Sequence, residues 1–370
     1  MRWKVIFNQQ VPIKNFNQNL NRTLEPNIEY LMNGDMLKVI KRVYGMRIKN
    51  IEEVNWITPI PIKDAKNLLI YRSGGIGDIL FILPYLSEIK KVNPEIKISF
   101  CSMPNHHEIL KLSNYIDFIL EDPIEYSKVA GKFDKIILFE NFIENNPIAE
   151  KVSAMDLAEQ FFDGIKKGPI DTKIIPIKPK GDKIHIMIFW ISTTKVRDIS
   201  PAIIFDFLHN LDSEKFRVTM VAPPNEEIAL MEIAENVNKY NSKIELRKLV
   251  SPEFGKVMEY MLLIDSPHIA IGPDTGLLNL LGYHGIPIIG LFGPFDSKLR
   301  LKYYKHAIGI DPITNCMFGK NESGSCFNHS GGSCPLGDFK DELYSPCIHK
   351  INADHINIAV QFILKEVYYQ

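Results

Sequence analysis

IDSPHIAIGPDTGLLNLLGYHGIPIIGLFGPFD, residues 264–296, is the stretch whose reading decides the architecture. His268–Ile271 is an apolar, β-branched run too short for a helix, and Gly272-Pro273 ends it. Asp274 stands where an N-cap belongs, which predicts a helix starting at Thr275-Gly276, then another strand and a second glycine-proline turn. Such a helix start offers free backbone N–H groups and the positive end of a helix dipole, and both suit an anion. Gly276 removes a side chain where an oxygen-rich ligand would approach the backbone. The plain alternative is a capped turn that binds nothing, and the turn by itself does not choose between the two.

Moving outward, the preceding hundred residues carry the same alternation. Strands are predicted at His185–Trp190, Arg217–Val221 and Ile244–Leu249. Helices are predicted over Pro201–Leu211, from an Asn225 cap to about Asn238, and from Ser251-Pro252-Glu253. Beyond the stretch, Asp354–Val367 places Ile356, Val360, Ile363 and Val367 on one helical stripe. Prolines 169, 176 and 179 mark a linker over Pro169–Lys180. Before it lies a second βα series. LLIYR is a buried strand, SGGIGD a turn and Ile79–Lys91 a helix, followed by strand Lys97–Ser102 and helix His107–Leu112. Strands Phe118–Leu120 and Lys135–Phe139 and a helix over about Ile148–Phe162 complete it.

Alternating strands and helices imply mostly parallel sheets, so two doubly wound halves facing across a cleft is the economical α/β architecture. The expected division is 1–63 as an N-terminal extension of unknown role, 64–178 as a first Rossmann-like domain, 179–349 as a second and 350–370 as a terminal helix packing back toward the first domain. In the extension, KVIF is a short strand, and Asn27–Gly45 holds a helix with Leu31, Met36, Val39, Ile40 and Val43 on one face. ITPIPIKDAK is a connector.

With 370 residues the chain can bury two sizeable cores, and 45% apolar with 24% charged residues describes an ordinary soluble protein. Forty-three basic against 44 acidic residues leave net charge −1, which argues against nucleic acid as a partner and allows at most peripheral membrane contact. The start, MRWKVIFNQQ, lacks the apolar core of a signal peptide, so a cytoplasmic protein is expected, at most peripheral to the inner membrane. The sequon at Asn21 then carries no meaning.

The first half has its own glycine turn, Arg72-Ser73-Gly74-Gly75-Ile76-Gly77-Asp78. No Lys-Ser/Thr follows, the G-x-G-x-x-G spacing is absent, and a carboxylate at the helix mouth would repel a pyrophosphate. An ionised Asp78 at the carboxyl edge of a sheet instead suits a general base that takes a proton from a hydroxyl. An N-cap aspartate without a catalytic task is the simpler reading.

Taken together, NLLIYRSGGIGDILFILPYLSEIKKVNPEIKISF and IAIGPDTGLLNLLGYHGIPIIGLFGPFD, about 190 residues apart, resemble the ADP-heptose–lipopolysaccharide heptosyltransferases, glycosyltransferase family nine, of GT-B fold. The resemblance covers roughly residues 66–300 and the terminal helix. It implies an inverting, metal-independent glycosyltransferase in which Asp78, in a loop with Ser73, Gly74, Gly75 and Gly77, takes the proton of an acceptor hydroxyl. Asp274, Thr275, Gly276 and Leu277 match the segment that holds the donor diphosphate, and Glu226 matches the acid that reaches the ribose. Between Thr193-Thr194 and Pro201 the family's tryptophan is missing, which leaves Lys195 or Arg197 as the phosphate contact, with Arg197 preferred. A solvated loop charge is the alternative. Two further departures are Asn279 in place of a histidine and Phe295 in place of a threonine. Asn279 can donate a hydrogen bond but carries no charge toward a phosphate, so the nucleotide sugar is left open.

The resemblance further implies an ADP-heptose-type donor and a saccharide or glycolipid acceptor, such as a lipopolysaccharide core. The rivals are another nucleotide sugar, a protein acceptor, or a binding protein without turnover. Cys101 falls in a predicted strand as a core residue. Cys316, Cys326, Cys334 and Cys347 cluster in a Gly-, Ser- and Asn-rich segment. Structural zinc or iron, free thiols and disulfides are all open there, and His329 and His349 are spare candidate ligands. The missing C-x-x-C pair weakens a zinc ribbon.

Overall fold

A computed structural model describes residues 2–15, 20–54, 60–140, 142–143, 146, 148–149, 151–312, 316, 326, 334, 336 and 344–368. The chain forms two compact units. Unit 1 comprises Met1–Phe142, Ala158–Lys173 and Pro252–Phe254, and unit 2 comprises Ile143–Leu157, Ile174–Ser251 and Gly255–Gln370.

Unit 1 begins with β1 (Arg2–Phe7), the hairpin β2 (Val11–Asn15) and β3 (Leu20–Leu24), β4 (Glu29–Asn33), α1 (Gly34–Tyr44) and β5 (Ile48–Val54). It continues through β6 (Asn67–Tyr71), α2 (Ile76–Val92), β7 (Lys97–Ser102), α3 (His107–Leu110), β8 (Phe118–Glu121), β9 (Ile124–Glu125) and β10 (Lys135–Leu138). The predicted parallel sheet is present, in the order β10-β6-β7-β8. Helix α2 buries Ile79–Ser87 almost all round, as a helix packed into a sheet face must.

The N-terminal region departs from expectation. It is mostly antiparallel strand, in the order β5-β1-β4-β9, and its helix starts seven residues later than predicted. Leu31 lies on β4, where it joins Leu69, Tyr71, Cys101 and Ile124 in one core. Helix α1 turns Leu37 and Ile40 into a second core with Val5, Phe7 and Tyr30, whereas Val39 and Val43 are 62% and 59% exposed. The predicted stripe joined residues of a strand and a helix, so its phase was that of neither.

Next comes α4 (Ala154–Ala158), with a 3-10 turn over Glu159–Phe161, all that is helical of the span expected from 148 to 162. Ser153 Oγ accepts from Asp156 N at 3.2 Å and starts the helix there. Unit 2 is built from β11 (Ile184–Phe189), α5 (Pro201–His209), β12 (Phe216–Ala222), α6 (Glu227–Tyr240), β13 (Glu245–Val250), α7 (Phe254–Glu259) and β14 (Ile269–Gly272). It ends with α8 (Gly276–Tyr283), β15 (Ile288–Leu291), α9 (Ser297–Arg300), β16 (Ala307–Ile310) and α10 (Ala353–Ile363). Its six strands are parallel and run β13-β12-β11-β14-β15-β16, the doubly wound order. Asn352 and His355 form a capping box on α10, which buries Ile356, Val360 and Ile363 in the core of unit 2, against α5. No helix among the described residues is long and apolar enough to cross a membrane.

Candidate functional site

In each parallel sheet the strand order reverses once, and the carboxyl ends flanking such a reversal are where open α/β sheets hold ligands. In unit 2 the reversal lies between β11 and β14, so Ser192–Asp198 and Pro273–Gly276 leave the sheet side by side. Ser192 Oγ donates to the Asp274 carbonyl at 3.0 Å. Arg197 Nη1 donates to that same carbonyl and to Asp274 Oδ2, each at 3.2 Å. Its Nε reaches Thr194 Oγ1 at 2.6 Å and its Nη2 reaches Thr193 Oγ1 at 3.4 Å. Thr193, Thr194, Arg197 and Asp274 are thereby one hydrogen-bonded group, while Lys195 on the same turn points its side chain to solvent. Glu226 follows the end of β12, the neighbouring strand, and accepts from Asn225 at 3.2 Å.

Asp274 does not cap the helix. The N-cap is Thr275, in extended conformation and with no side chain bonded to the first turn. Thr275, Gly276 and Leu277 are partly exposed, and no side chain caps the first turn. Asp274 is only 5% exposed and is also approached at 3.2 Å by Arg300 Nε, which sequence reading did not single out. Burial opposes its charge, but Arg300, Arg197 and the Asn279 amide outweigh burial and hold the carboxyl below the usual range. Asn279 is 4% exposed. Its Nδ2 donates to Thr275 O at 2.9 Å and reaches Asp274 Oδ1 at 3.4 Å, and its Oδ1 accepts from Tyr304 Oη at 3.1 Å. The Arg300 guanidinium carbon lies 3.9 Å from the centroid of the Phe295 ring. Asp198 accepts from Ser192 N at 2.6 Å, and burial, helped by the charge of Glu226, pushes its pKa up to about 6.

In unit 1 the reversal lies between β6 and β10. Arg72, leaving β6, donates to the Asp78 carboxylate and, at 2.9 Å, to the carbonyl of Phe139, which leaves β10. Ser73 donates from N and Oγ to Glu140 Oε1, at 2.9 and 2.8 Å. Gly74 has a steric reason: a Cβ there would collide with the Arg72 guanidinium. Gly75 is the N-cap of α2, and Gly77 and Asp78 fall in its first turn. Arg72 is 4% exposed at its side chain, and Asp78 keeps 18%. Behind them His106 is buried; burial first and the Arg72 charge second hold its pKa down to about 4, so it is neutral at pH 7. Glu140, Arg300, Tyr304 and His106 were absent from the sequence reading. Only their position just after strand ends, or just after the Gly293-Pro294 turn, could have pointed to the first two.

Two of the clustered cysteines lie against the Gly293-Pro294 turn after β15. Cys326 N donates to Pro294 O at 2.6 Å, and a Cβ on Gly293 would lie 3.2 Å from Cys347 Sγ. Cys316, Cys326, Cys334 and Cys347 are all free thiols. Among the described residues no three His, Cys, Asp or Glu side chains gather as a metal site, and His329 lies outside those residues. A cavity of about 550 Å³ lined by Lys183, Arg217, Arg247, Tyr260 and Asp265 opens at the opposite, amino-terminal edge of the unit 2 sheet.

No protein-family model matches the sequence, and no curated protein matches it. Solved structures do. The glycosyl transferase family 9 protein from Veillonella parvula DSM 2008 aligns at TM-score 0.57 and 12% identity, over 81% of this chain and 97% of its own. The E. coli ADP-heptose LPS heptosyltransferase II gives 0.57 at 12%, over 81% and 99%. The iron-containing dodecameric glycosyltransferase TibC from enterotoxigenic E. coli H10407 gives 0.57 at 12%, over 99% of this chain and 92% of that one. The chain thus has the α/β fold of GT-B heptosyltransferases, with Rossmann-like parallel sheets. The likeness to TibC takes in the N-terminal region as well.

Proposed function

We propose that the chain is an inverting glycosyltransferase that moves a sugar, heptose from an ADP-heptose-type donor, to a hydroxyl of a saccharide acceptor such as a lipopolysaccharide core. The observation that carries this reading is the partly exposed start of α8, with no side-chain cap, beside Arg197, where β11 and β14 end. Backbone N–H groups, a helix dipole and a guanidinium are what a leaving diphosphate needs, since negative charge grows on it as the glycosidic bond breaks. Asp274 is occupied by two arginines, so it organises cations and does not offer itself as a metal ligand. In this reading these cationic groups take the place of a divalent ion at the leaving group.

Asp78 is the general base. It takes the proton of the acceptor hydroxyl, whose oxygen attacks the anomeric carbon as the nucleoside diphosphate departs from the opposite face. Arg72 fixes the orientation of the carboxylate and Gly74 leaves it room to do so. Thr193, Thr194, Glu226, Gly276 and Leu277 complete the donor side, and Ser73, Gly75 and Gly77 the acceptor loop. Solved neighbours contain ADP-D-β-D-heptose or ADP, which supports an adenine nucleotide donor. A donor panel scored by nucleotide release tests the reading. Release from ADP-heptose is expected, and release from UDP- or GDP-sugars alone would defeat the heptosyl assignment. A chain that binds donor and releases nothing with any acceptor would be a binding protein.

A further inference from the structure

Helix α1 has apolar residues on two faces, and only one face meets the core of unit 1. Leu37 and Ile40, both buried, pack with Val5, Phe7 and Tyr30. Val39, Val43 and, on the 3-10 turn that follows, Met46 stand at i, i+4 and i+7 on a different face, and they are 62%, 59% and 97% exposed. A helix at a protein surface needs one apolar stripe, and a second one facing water calls for something outside the chain to cover it. The charge beside that stripe says what. Residues 34–50 hold five basic residues, Lys38, Lys41, Arg42, Arg47 and Lys49, against the single acid Asp35, in a chain of net charge −1. Arg42 is exposed and has no hydrogen-bond or ion-pair partner among the described residues. Arg47 donates to the Gln10 carbonyl at 2.7 Å and lies 5.3 Å from the centroid of the Tyr44 ring. Lys49 donates to Asn27 Oδ1 at 3.1 Å. These partners are neutral, so neither charge is cancelled. Lys38 and Lys41 have further contacts, and the other three suffice.

We infer that the Val39, Val43 and Met46 face of α1, with Arg42, Arg47 and Lys49 next to it, is a docking surface for a lipid bilayer that bears anionic headgroups. Apolar side chains at the acyl boundary and basic ones among the headgroups are how an interfacial helix holds such a surface. A second copy of the chain fits less well, because a two-fold contact through this face sets Arg42 and its basic neighbours against their own images. The inference does not rest on the donor reading above, and its test uses no donor.

The test is flotation of the full chain with vesicles of phosphatidylcholine, alone or with about 30% phosphatidylglycerol, at about 50 and about 300 mM salt. Sedimentation velocity without lipid and thermal unfolding run alongside. Wild type is expected to float with the anionic vesicles, to stay behind with the neutral ones, and to let go at the higher salt. Arg42→Gln weakens binding by roughly fivefold, the share of one basic residue near an anionic surface. Val43→Ser combined with Met46→Ser weakens it by about tenfold or more, with the unfolding temperature unchanged because both side chains already face water. Ile358→Ser, at a 68% exposed position on α10, leaves binding as it was. Wild type that does not float with anionic vesicles overturns the inference. Flotation that falls with Arg42→Gln but not with the Val43→Ser, Met46→Ser pair makes the face a site for a soluble polyanion, and also overturns it. An oligomer in wild type that the same pair converts to monomer, without flotation, gives the face to a second copy of the chain and overturns it as well.

Discussion

At the scale of single residues, two carboxylates with arginine partners differ in exposure, 18% for the Asp78 side chain and 6% for that of Asp274, and the proposed roles differ with it. Asp78 keeps part of its side chain in solvent beside one arginine, as a group that must meet a substrate does. Replacing it by Ala is expected to lower turnover by roughly 10²–10⁴-fold while ADP affinity stays within about twofold. Single-turnover kinetics alongside calorimetry check this, and an unchanged rate would remove Asp78 as the base. Asp274 is sealed under two arginines. Asp274→Ala removes the carboxylate that both arginines contact, and a loss of about 3–5 kcal/mol in unit 2 is expected from urea unfolding. A change below about 1 kcal/mol would mean that water replaces the carboxylate at little cost. Neither Arg300 nor Glu140 was legible in the sequence. A basic residue in a short helix and an acid after a strand have no local signature, and their meaning comes from contacts to Asp274, 26 residues away in sequence, and to Ser73, 67 residues away.

At the scale of elements, legibility followed hydrophobic pattern. The parallel strands β6, β7, β11, β12, β14 and β15 are mostly apolar and buried over nearly their whole length, and each was readable because both faces are covered. The hairpin β2–β3, the half-exposed β5, the two-residue β9 and the edge strand β16 were not predicted. They are short, polar or placed only by their pairing partners. Helix starts were the next weakest point. Asp274 has the right residue type for a cap, but two arginines claim its carboxylate, and the cap passes to Thr275. The turn after β6 invites its own experiment. Gly74→Ala would push Arg72 off Asp78 without touching the donor side. A fall in turnover of at least about tenfold, with unchanged ADP affinity and unfolding temperature, is expected, about 1.4 kcal/mol of transition-state stabilisation. Full activity would show that the Arg72 contact has no part in positioning the base.

At the scale of the whole molecule, buried imidazoles set the acid limit. Burial is the leading cause that holds His106 in unit 1 and His185 and His284 in unit 2 at about 4. A histidine depressed in the folded state contributes stability that is complete above its unfolded value near 6.5 and is lost as pH falls toward 4. Asp198, raised to about 6, works the other way, losing its contribution as pH rises from 3.8 through 6, but it is one group against three. Urea midpoints should therefore drop steadily between pH 7 and pH 5, and a flat profile would show that these rings take up protons while folded. The N-terminal region is bound into unit 1 by its strand pairing: β4 pairs with β9, and Leu31 shares a core with Leu69 and Tyr71. Removing residues 1–63 is expected to yield aggregated protein, and a soluble 64–370 chain with one sharp unfolding transition would contradict that. The same pairing has a consequence during synthesis. β1, β4 and β5 are all synthesised by residue 54, whereas the strand that covers the outer side of β4 begins 70 residues later, at residue 124. At roughly 5–20 residues per second the nascent chain carries that bare backbone edge for about 4–14 s. Over that interval translation speed and holding chaperones govern how much of the product escapes cross-strand sticking to its neighbours on the polysome.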